Sequence, residues 1–222
     1  AIRHGSVVLR APPGAGKTTR VPPAMLDGNL ADGTRIVVVQ PRRLAARSAA
    51  RRIAQERGTT IGGEVGYAVR FDARFTPETK ILVVTDGVLL RMLQDDPLLE
   101  DVGIVVFDEF HERSLQVDLA FAMACRVREV VRPDLRLVVM SATLDPQPIV
   151  EFLQDASSVH CEGRLFPVNI QYTPRSDRRS IVDLVVNGVE KMLEKSAGDL
   201  LAFLPGVGEI LQAQRRLQAS LG

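Results

Sequence analysis

Ser6-Val7-Val8-Leu9-Arg10-Ala11-Pro12-Pro13-Gly14-Ala15-Gly16-Lys17-Thr18-Thr19 is the stretch on which the fold turns. A short apolar run, Val7-Val8-Leu9, leads through a Gly-rich turn ending in Gly-Lys-Thr into a segment of helical character. Strand, Gly-rich turn and helix in that order make the local plan of a nucleoside-triphosphate site. The backbone N–H groups of such a turn point inward at phosphate oxygens, and the helix N-terminus adds a favourable field for anions. Lys17 then brings a positive charge to the β/γ-phosphates, and the Thr18 hydroxyl is placed to hold Mg²⁺. Ala11 stands where the common pattern has its first Gly, and a small residue still fits there. The competing reading, a Gly-rich turn with no ligand, is disfavoured by the strand before it and the helix after it.

Downstream, the chain alternates. Apolar strands are predicted over Ser6–Arg10, Arg35–Gln40, Lys80–Thr85, Val102–Phe107 and Leu135–Met140. Helical stretches are predicted over Arg42–Arg57, Gly87–Gln94, Leu115–Val131 and Pro146–Leu153. Continuous β-branched runs indicate strands buried on both faces, as in parallel sheets. Alternation of this kind builds right-handed βαβ units into an α/β, doubly wound, mainly parallel sheet, with ligands at the carboxyl ends of the strands. Pro22 and Pro23 are expected to distort the helix after the turn, since interior prolines remove backbone donors.

Bulk properties narrow the function. The chain has 222 residues, 45% hydrophobic and 25% charged, the profile of a globular protein. A net charge of +1 gives no strong general attraction to nucleic acid or anionic membrane, so any such contact is local. No apolar run is long enough to span a bilayer. Cys125 and Cys161 lack metal-ligand spacing and suggest a reducing, cytoplasmic setting without disulfides. His4 and His160 have no partner pattern and read as structural. The start, Ala1-Ile2-Arg3-His4, resembles no signal peptide and lacks Met, which suggests that the chain begins inside a longer protein.

The second chemical motif is Asp108-Glu109-Phe110-His111, directly after Val102–Phe107. An acid ending an apolar strand is the expected partner of a phosphate loop, because its carboxylate steadies Mg²⁺. The adjacent acid can orient and deprotonate a water for attack on the γ-phosphorus. Asp108 is thus assigned to the metal and Glu109, beside it, to the water. Alone, Asp-Glu after a strand is more often a solvated turn; the phosphate loop upstream favours catalysis.

Taken in order, Ala11-Pro12-Pro13-Gly14-Ala15-Gly16-Lys17-Thr18-Thr19, Pro41-Arg42-Arg43, Thr85-Asp86-Gly87, Asp108-Glu109-Phe110-His111-Glu112-Arg113 and Ser141-Ala142-Thr143 resemble the motifs of DEAH-box helicases of superfamily 2. The chain looks most like their bacterial HrpB branch, which also has Phe where the name-giving motif has Ala. Phe203-Leu204-Pro205-Gly206 resembles the family's next motif. The resemblance implies a RecA-like ATP-binding lobe over residues 1–162, and a linker with the incomplete start of a second such lobe over 163–222. It implies ATP and Mg²⁺ as ligands, with Gly14, Ala15, Gly16, Lys17, Thr18 and Thr19 on the nucleotide and Thr18, Asp108 and Glu109 at the metal. His111 matches the residue linking the nucleotide site to the other lobe, and Ser141 and Thr143 match the motif that couples hydrolysis to strand movement. Arg43 and Thr85 match positions that hold a nucleic-acid backbone. Arg70-Phe71 resembles a pair lying beside the bound strand, and Arg52 a residue stacked on adenine. The implied partner is single-stranded nucleic acid, RNA by family preference, with DNA left open.

The residue types also make sense from below. A motor that slides along any sequence grips phosphates and sugars, since those contacts carry no base information. Arg43, Arg47 and Arg51 recur every four residues as one basic stripe, though a solvated helix face explains Arg47 and Arg51 as well. Arg70-Phe71 reads equally as a strand edge with a core Phe. Ser141-Ala142-Thr143 alone is a common strand-end turn or helix cap. Two other classes stay open: an ATPase that remodels protein partners, and a nucleotide-binding module with little turnover of its own.

In the last third, Asp155–Gly163 reads as a connection out of the first domain, 167–172 as an extended segment, Arg178–Lys195 as a helix, Leu200–Leu204 as a strand and Val207–Leu221 as a helix. A lobe this short cannot complete a sheet and its core alone. The family's later Arg-rich motif is not in the sequence, so the chain is expected to be a fragment.

Overall fold

The two-faced burial expected of the apolar runs is what organises the sheet. The structure, a computed structural model, describes residues 2, 5–162, 167–172, 179–195 and 197–221. Its strands are β1 (Val7–Arg10), β2 (Arg35–Gln40), β3 (Val65–Val69), β4 (Asp72–Arg74), β5 (Ile81–Thr85), β6 (Val102–Phe107), β7 (Arg136–Ser141) and β8 (Ser157–His160). The helices are α1 (Lys17–Asp27), α2 (Arg43–Glu56), α3 (Asp86–Asp95), α4 (Leu115–Val130), α5 (Gln147–Leu153), α6 (Ile181–Lys195) and α7 (Val207–Leu221). The sheet order is β4-β3-β5-β2-β6-β7-β1-β8, and every pairing is parallel except β3 with β4.

Alternate residues of each central strand enter different cores, as the period of two requires. Ile36, Val38, Ile104, Val106, Val138 and Met140 face α1 and α2, packing with Met25, Ala46, Ala50 and Ile53. Val37, Val39, Val105, Phe107, Leu137 and Val139 face the other side, against Leu89 and Leu93 of α3 and Val117, Phe121 and Ala124 of α4. Both faces being covered explains why these strands carry almost no polar residues until their carboxyl ends. There Gln40, Thr85, Asp108 and Ser141 break the pattern, and all four are buried. Buried polar side chains at one sheet edge must find partners, and those partners build the site below.

The five predicted strands are present to within one residue at either end, and so are the four helices between them. Three strands were not predicted. In β3, Gly66 interrupts the β-branched run, and the structure requires that Gly: a Cβ there would lie 2.6 Å from the Arg74 carbonyl oxygen and 2.7 Å from Phe75 Cβ. β4 has only three residues. β8, read as a connection, instead adds a parallel edge strand beside β1; its four residues are all exposed, so it carries no hydrophobic signal. The helix α1 runs unbroken through Pro22 and Pro23. The missing donors there cost hydrogen bonds to the preceding turn without ending the helix.

The chain divides into two compact units, Ala1–Phe166 and Pro167–Gly222. In the second unit α6 and α7 form as expected, with Arg216 bonded to Asp183. The strand expected at Leu200–Leu204 is not formed. A strand needs a ladder partner for its N–H and C=O groups, and among the described residues of this unit there is no other strand. His4, Gly163 and Arg178 lie outside the described residues.

Cys125 and Cys161 are both free. Burial pushes the Cys125 thiol up to about 12, whereas Cys161 is exposed. At pH 8 a thiol of that kind is thiolate at roughly one part in 10⁴, and the thiolate is the nucleophile. Iodoacetamide at pH 8 is therefore expected to label Cys161 in the native protein and Cys125 only after unfolding. Mass spectrometry of the labelled peptides checks this; equal labelling of both native cysteines contradicts the burial of Cys125. Among the described residues no helix is long and apolar enough to cross a membrane.

Candidate active site

The phosphate loop and the acidic strand end meet at the carboxyl edge of the sheet. β1 ends at Arg10, and the Ala11 N–H donates to the Ser141 carbonyl at 3.1 Å, fixing the start of the loop to β7. Gly14 and Gly16 both take left-handed conformations, at φ 78° and 80°, which glycine adopts without a Cβ penalty. Gly16 is the residue immediately before α1, so the loop opens directly onto a helix N-terminus. A Cβ built on Gly14 meets no atom within 4 Å, which leaves open space at the loop. Lys17 is only 6% exposed, and its ammonium donates to the carbonyls of Ala11 at 2.7 Å and Pro12 at 3.1 Å.

Asp108 is the hub. Its Oδ2 accepts from the Thr18 hydroxyl and, at 2.5 Å, from the Gln40 side-chain amide; Oδ1 accepts the Glu109 N–H at 2.9 Å. The Asp108 N–H donates to the Val39 carbonyl at 3.0 Å. Burial holds the Asp108 carboxyl above its ordinary value, and the three donors together with the Lys17 charge offset part of that. The Glu109 carboxyl is also raised, first by burial and then by the Asp108 charge, with Lys17 and His111 opposing. A glutamate pushed toward neutrality beside a fixed carboxylate has the character of a general base.

Glu109 sits at φ 48°, a left-handed conformation uncommon outside glycine. It enters a 3₁₀ turn, Phe110–Glu112, which ends at Arg113, φ 41°. Strain of this kind persists only where surroundings over-determine it. Phe110 supplies the anchor. It is buried, its ring centroid lies 5.0 Å from that of Phe121 and 6.1 Å from that of Phe107, and the Arg113 guanidinium stands 5.4 Å over it. Phe110→Ala is expected to cost about 3–5 kcal/mol, a fall in melting temperature on the order of 10 °C, because the ring space cannot collapse fully. Thermal unfolding followed by circular dichroism checks this; an unchanged melting temperature would show that Phe110 anchors nothing.

His111 joins the acidic turn to β7. Its Nε2 lies 3.4 Å from Glu109 Oε2 and its Nδ1 3.3 Å from the Ser141 hydroxyl. The same hydroxyl accepts the N–H groups of Thr143 at 3.3 Å and Leu144 at 3.0 Å. Ala11, Ser141, His111, Glu109, Asp108 and Thr18 thus form a closed circuit from the loop back to the loop.

The donor set fits a magnesium-bound triphosphate. Mg²⁺ is usually held by one or two carboxylates together with substrate phosphates and waters. One buried Asp touching one Thr hydroxyl suits that habit. Among the described residues no group of three or more His, Cys, Asp and Glu could hold a metal without help.

Other expected site residues lie farther along the same edge or away from it. Thr85 ends β5, is buried, and is the register partner of Gln40. Arg43 begins α2 and is exposed. Arg70 and Phe71 turn from β3 into β4; Phe71 is 88% exposed, at φ 68°, with the Arg70 guanidinium 4.7 Å over its ring. Phe71 is therefore not the core residue of one reading. Arg47 leaves the basic stripe, because it is paired with Asp72 at 2.8 Å. The Arg52 guanidinium bonds to Glu56 at 2.7 Å, and no hydrogen bond brings it to the phosphate loop.

Gln40 and Ser114 belong to none of the sequence motifs, and Arg42 enters only as the middle of Pro41-Arg42-Arg43, without a role of its own. Arg42 pairs with Glu112 at 3.2 Å, and Ser114 caps α4 while donating to Asp86 at 3.1 Å. Gln40 did leave a signal, as a polar side chain ending an apolar run just before Pro41.

Residues 1–152 match the DEAD/DEAH box helicase family. The ATP-dependent RNA helicase HrpB of Escherichia coli (strain K12) is 45% identical over 97% of this chain and 27% of that protein. The ATP-dependent RNA helicase HrpA of Borreliella burgdorferi is 37% identical over 97% of this chain and 26% of that protein. The crystal structure of the Escherichia coli DEAH/RHA helicase HrpB superposes with a TM-score of 0.86, covering 98% of this chain and 28% of that one. The chain thus spans about a quarter of the length of these relatives.

Proposed function

Because this chain belongs to the DEAD/DEAH box helicase family, we propose that it forms the ATP-hydrolysing lobe of a helicase that moves along single-stranded RNA. The observation that carries this reading is the contact of Thr18 with Asp108, which joins the phosphate loop to the acidic strand end. In this reading residues 1–162 are the first RecA-like lobe, and 163–222 are a linker and part of a second.

The N–H groups of the loop from Gly14 to Thr19 hold phosphate oxygens, and Lys17 turns its ammonium from the loop carbonyls to the β/γ-phosphates. Thr18 and Asp108 hold Mg²⁺, with Glu109 beside them; bound there, the ion neutralises phosphate charge and polarises the γ-phosphoryl group. Glu109 accepts a proton from the attacking water. His111 and Ser141 connect that carboxylate to β7, and Thr143 follows them. Arg43, Thr85, Arg70 and Phe71 line the strand's path, and Arg52 stacks on the adenine after releasing Glu56. RNA is chosen over DNA because the relatives are named RNA helicases. A cytosolic setting accords with two free thiols.

The test is ATP turnover in a protein of the relatives' full length, with no nucleic acid, with single-stranded RNA, and with DNA of the same sequence. Stimulation by RNA is expected. No stimulation by either would favour an ATPase acting on protein partners, and stimulation by DNA alone would reassign the substrate.

A further inference from the structure

The Gln40 side chain is committed to the nucleotide site although none of the functional motifs includes it. It is the last residue of β2, is 3% exposed, and directs its amide Nε2 at Asp108 Oδ2 from 2.5 Å. That oxygen also receives the Thr18 hydroxyl, so Asp108 is gripped at once from the end of β2 and from the first turn of α1. The backbone reinforces the arrangement. Asp108 N–H donates to Val39 at 3.0 Å, and β2 lies in parallel register with β6 through Val39 and Phe107. Gln40 therefore reaches Asp108 from a rigid strand rather than from a loop.

A carboxylate turns freely about its last torsion unless something holds it, and a metal needs one oxygen aimed at it. With the Glu109 N–H on Oδ1 and both the Gln40 amide and the Thr18 hydroxyl on Oδ2, the carboxylate is held in one orientation, with Oδ2 on the Thr18 side. A charge-assisted bond of this kind is stronger than a neutral one, and buried ligands are tuned by the groups that hold them. We propose that Gln40 is a positioning residue for the metal: its amide fixes the Asp108 carboxylate so that one oxygen faces Thr18 and the triphosphate. The proposal rests on Asp108 being the metal carboxylate, as argued above. Gln40 also stands next to Pro41-Arg42-Arg43 and opposite Thr85 in register. The strand that aims the metal ligand thus leads straight into the segment assigned to the nucleic acid.

Gln40→Met is nearly isosteric and removes only the polar contact. The test uses Mn²⁺ as probe, read by electron paramagnetic resonance in the presence of a non-hydrolysable ATP analogue. Melting temperature and metal-free analogue affinity are measured alongside. Gln40→Met is expected to bind Mn²⁺ about tenfold more weakly, with analogue affinity in chelator unchanged. Gln40→Asn keeps the polarity but is one methylene too short, and is expected to show the same loss; it decides the matter if the Met variant does not fold. Wild-type Mn²⁺ affinity in a folded variant would overturn the proposal. Equal loss of metal-free analogue binding would also overturn it, since that is the mark of a merely structural residue. Asp108→Asn separates the two levels. If it abolishes Mn²⁺ binding while Gln40→Met leaves it intact, only Gln40 is misassigned; if it binds Mn²⁺ as wild type does, the metal site itself is misplaced.

Discussion

Lys17→Ala is expected to weaken triphosphate binding by about 10²-fold and to remove hydrolysis almost completely. Lys17 is a buried cation whose hydrogen bonds go to two carbonyls, those of Ala11 and Pro12, which are neutral partners. Its charge is therefore not cancelled by an ion pair and remains available to phosphate. A charged hydrogen bond contributes about 1.5–3 kcal/mol, and an ammonium facing β- and γ-oxygens makes more than one. Lys17→Arg keeps the charge but replaces a compact ammonium with a planar fork too large for the loop, so it should recover little. Binding is measured by titration with a fluorescent ATP analogue, and folding by circular dichroism. Wild-type affinity in a folded Lys17→Ala protein would end the phosphate-loop reading.

The second large effect separates binding from chemistry. Glu109→Gln is expected to bind triphosphate within about threefold of wild type, while hydrolysis falls by about 10²–10⁴, the usual contribution of a positioned general base. The substitution preserves shape and the approach to His111 at 3.4 Å, and takes away only the ability to accept a proton. Asp108, the carboxylate in contact with Thr18, is untouched, so the proposed metal site is left intact. Turnover is measured in a protein of the relatives' length with RNA present. Hydrolysis at the wild-type rate in Glu109→Gln would move the base elsewhere and leave Lys17 and Asp108 in place.

Much of this was legible in the chain for a simple reason. A strand buried on both faces must be continuously apolar, so Arg35–Gln40, Val102–Phe107 and Leu135–Met140 declare themselves, and the polar residues that end them are conspicuous. Asp108 stood out in that way, and Lys17 by the Gly-rich turn that precedes it. What stayed hidden were elements without such a contrast. The edge strand β8 is exposed along its whole length, and β3 is broken by a Gly whose purpose is the close passage of Arg74 and Phe75. Leu200–Leu204 erred in the other direction, because it has strand composition but no strand beside it among the described residues.

The α/β order, the Gly-rich turn and the acidic strand end follow from the chain alone, because they depend on local periodicity and on residue types at fixed spacing. Which side chain holds which is a matter of how the strands and helices pack. The meeting of Thr18 and Gln40 on one oxygen of Asp108, the His111 bridge from Glu109 to Ser141, and the pairing of Arg47 with Asp72 all join residues distant in the chain. Such contacts are set by the order and register in which strands pair, and hydrophobic pattern specifies that a strand is buried without naming its neighbour.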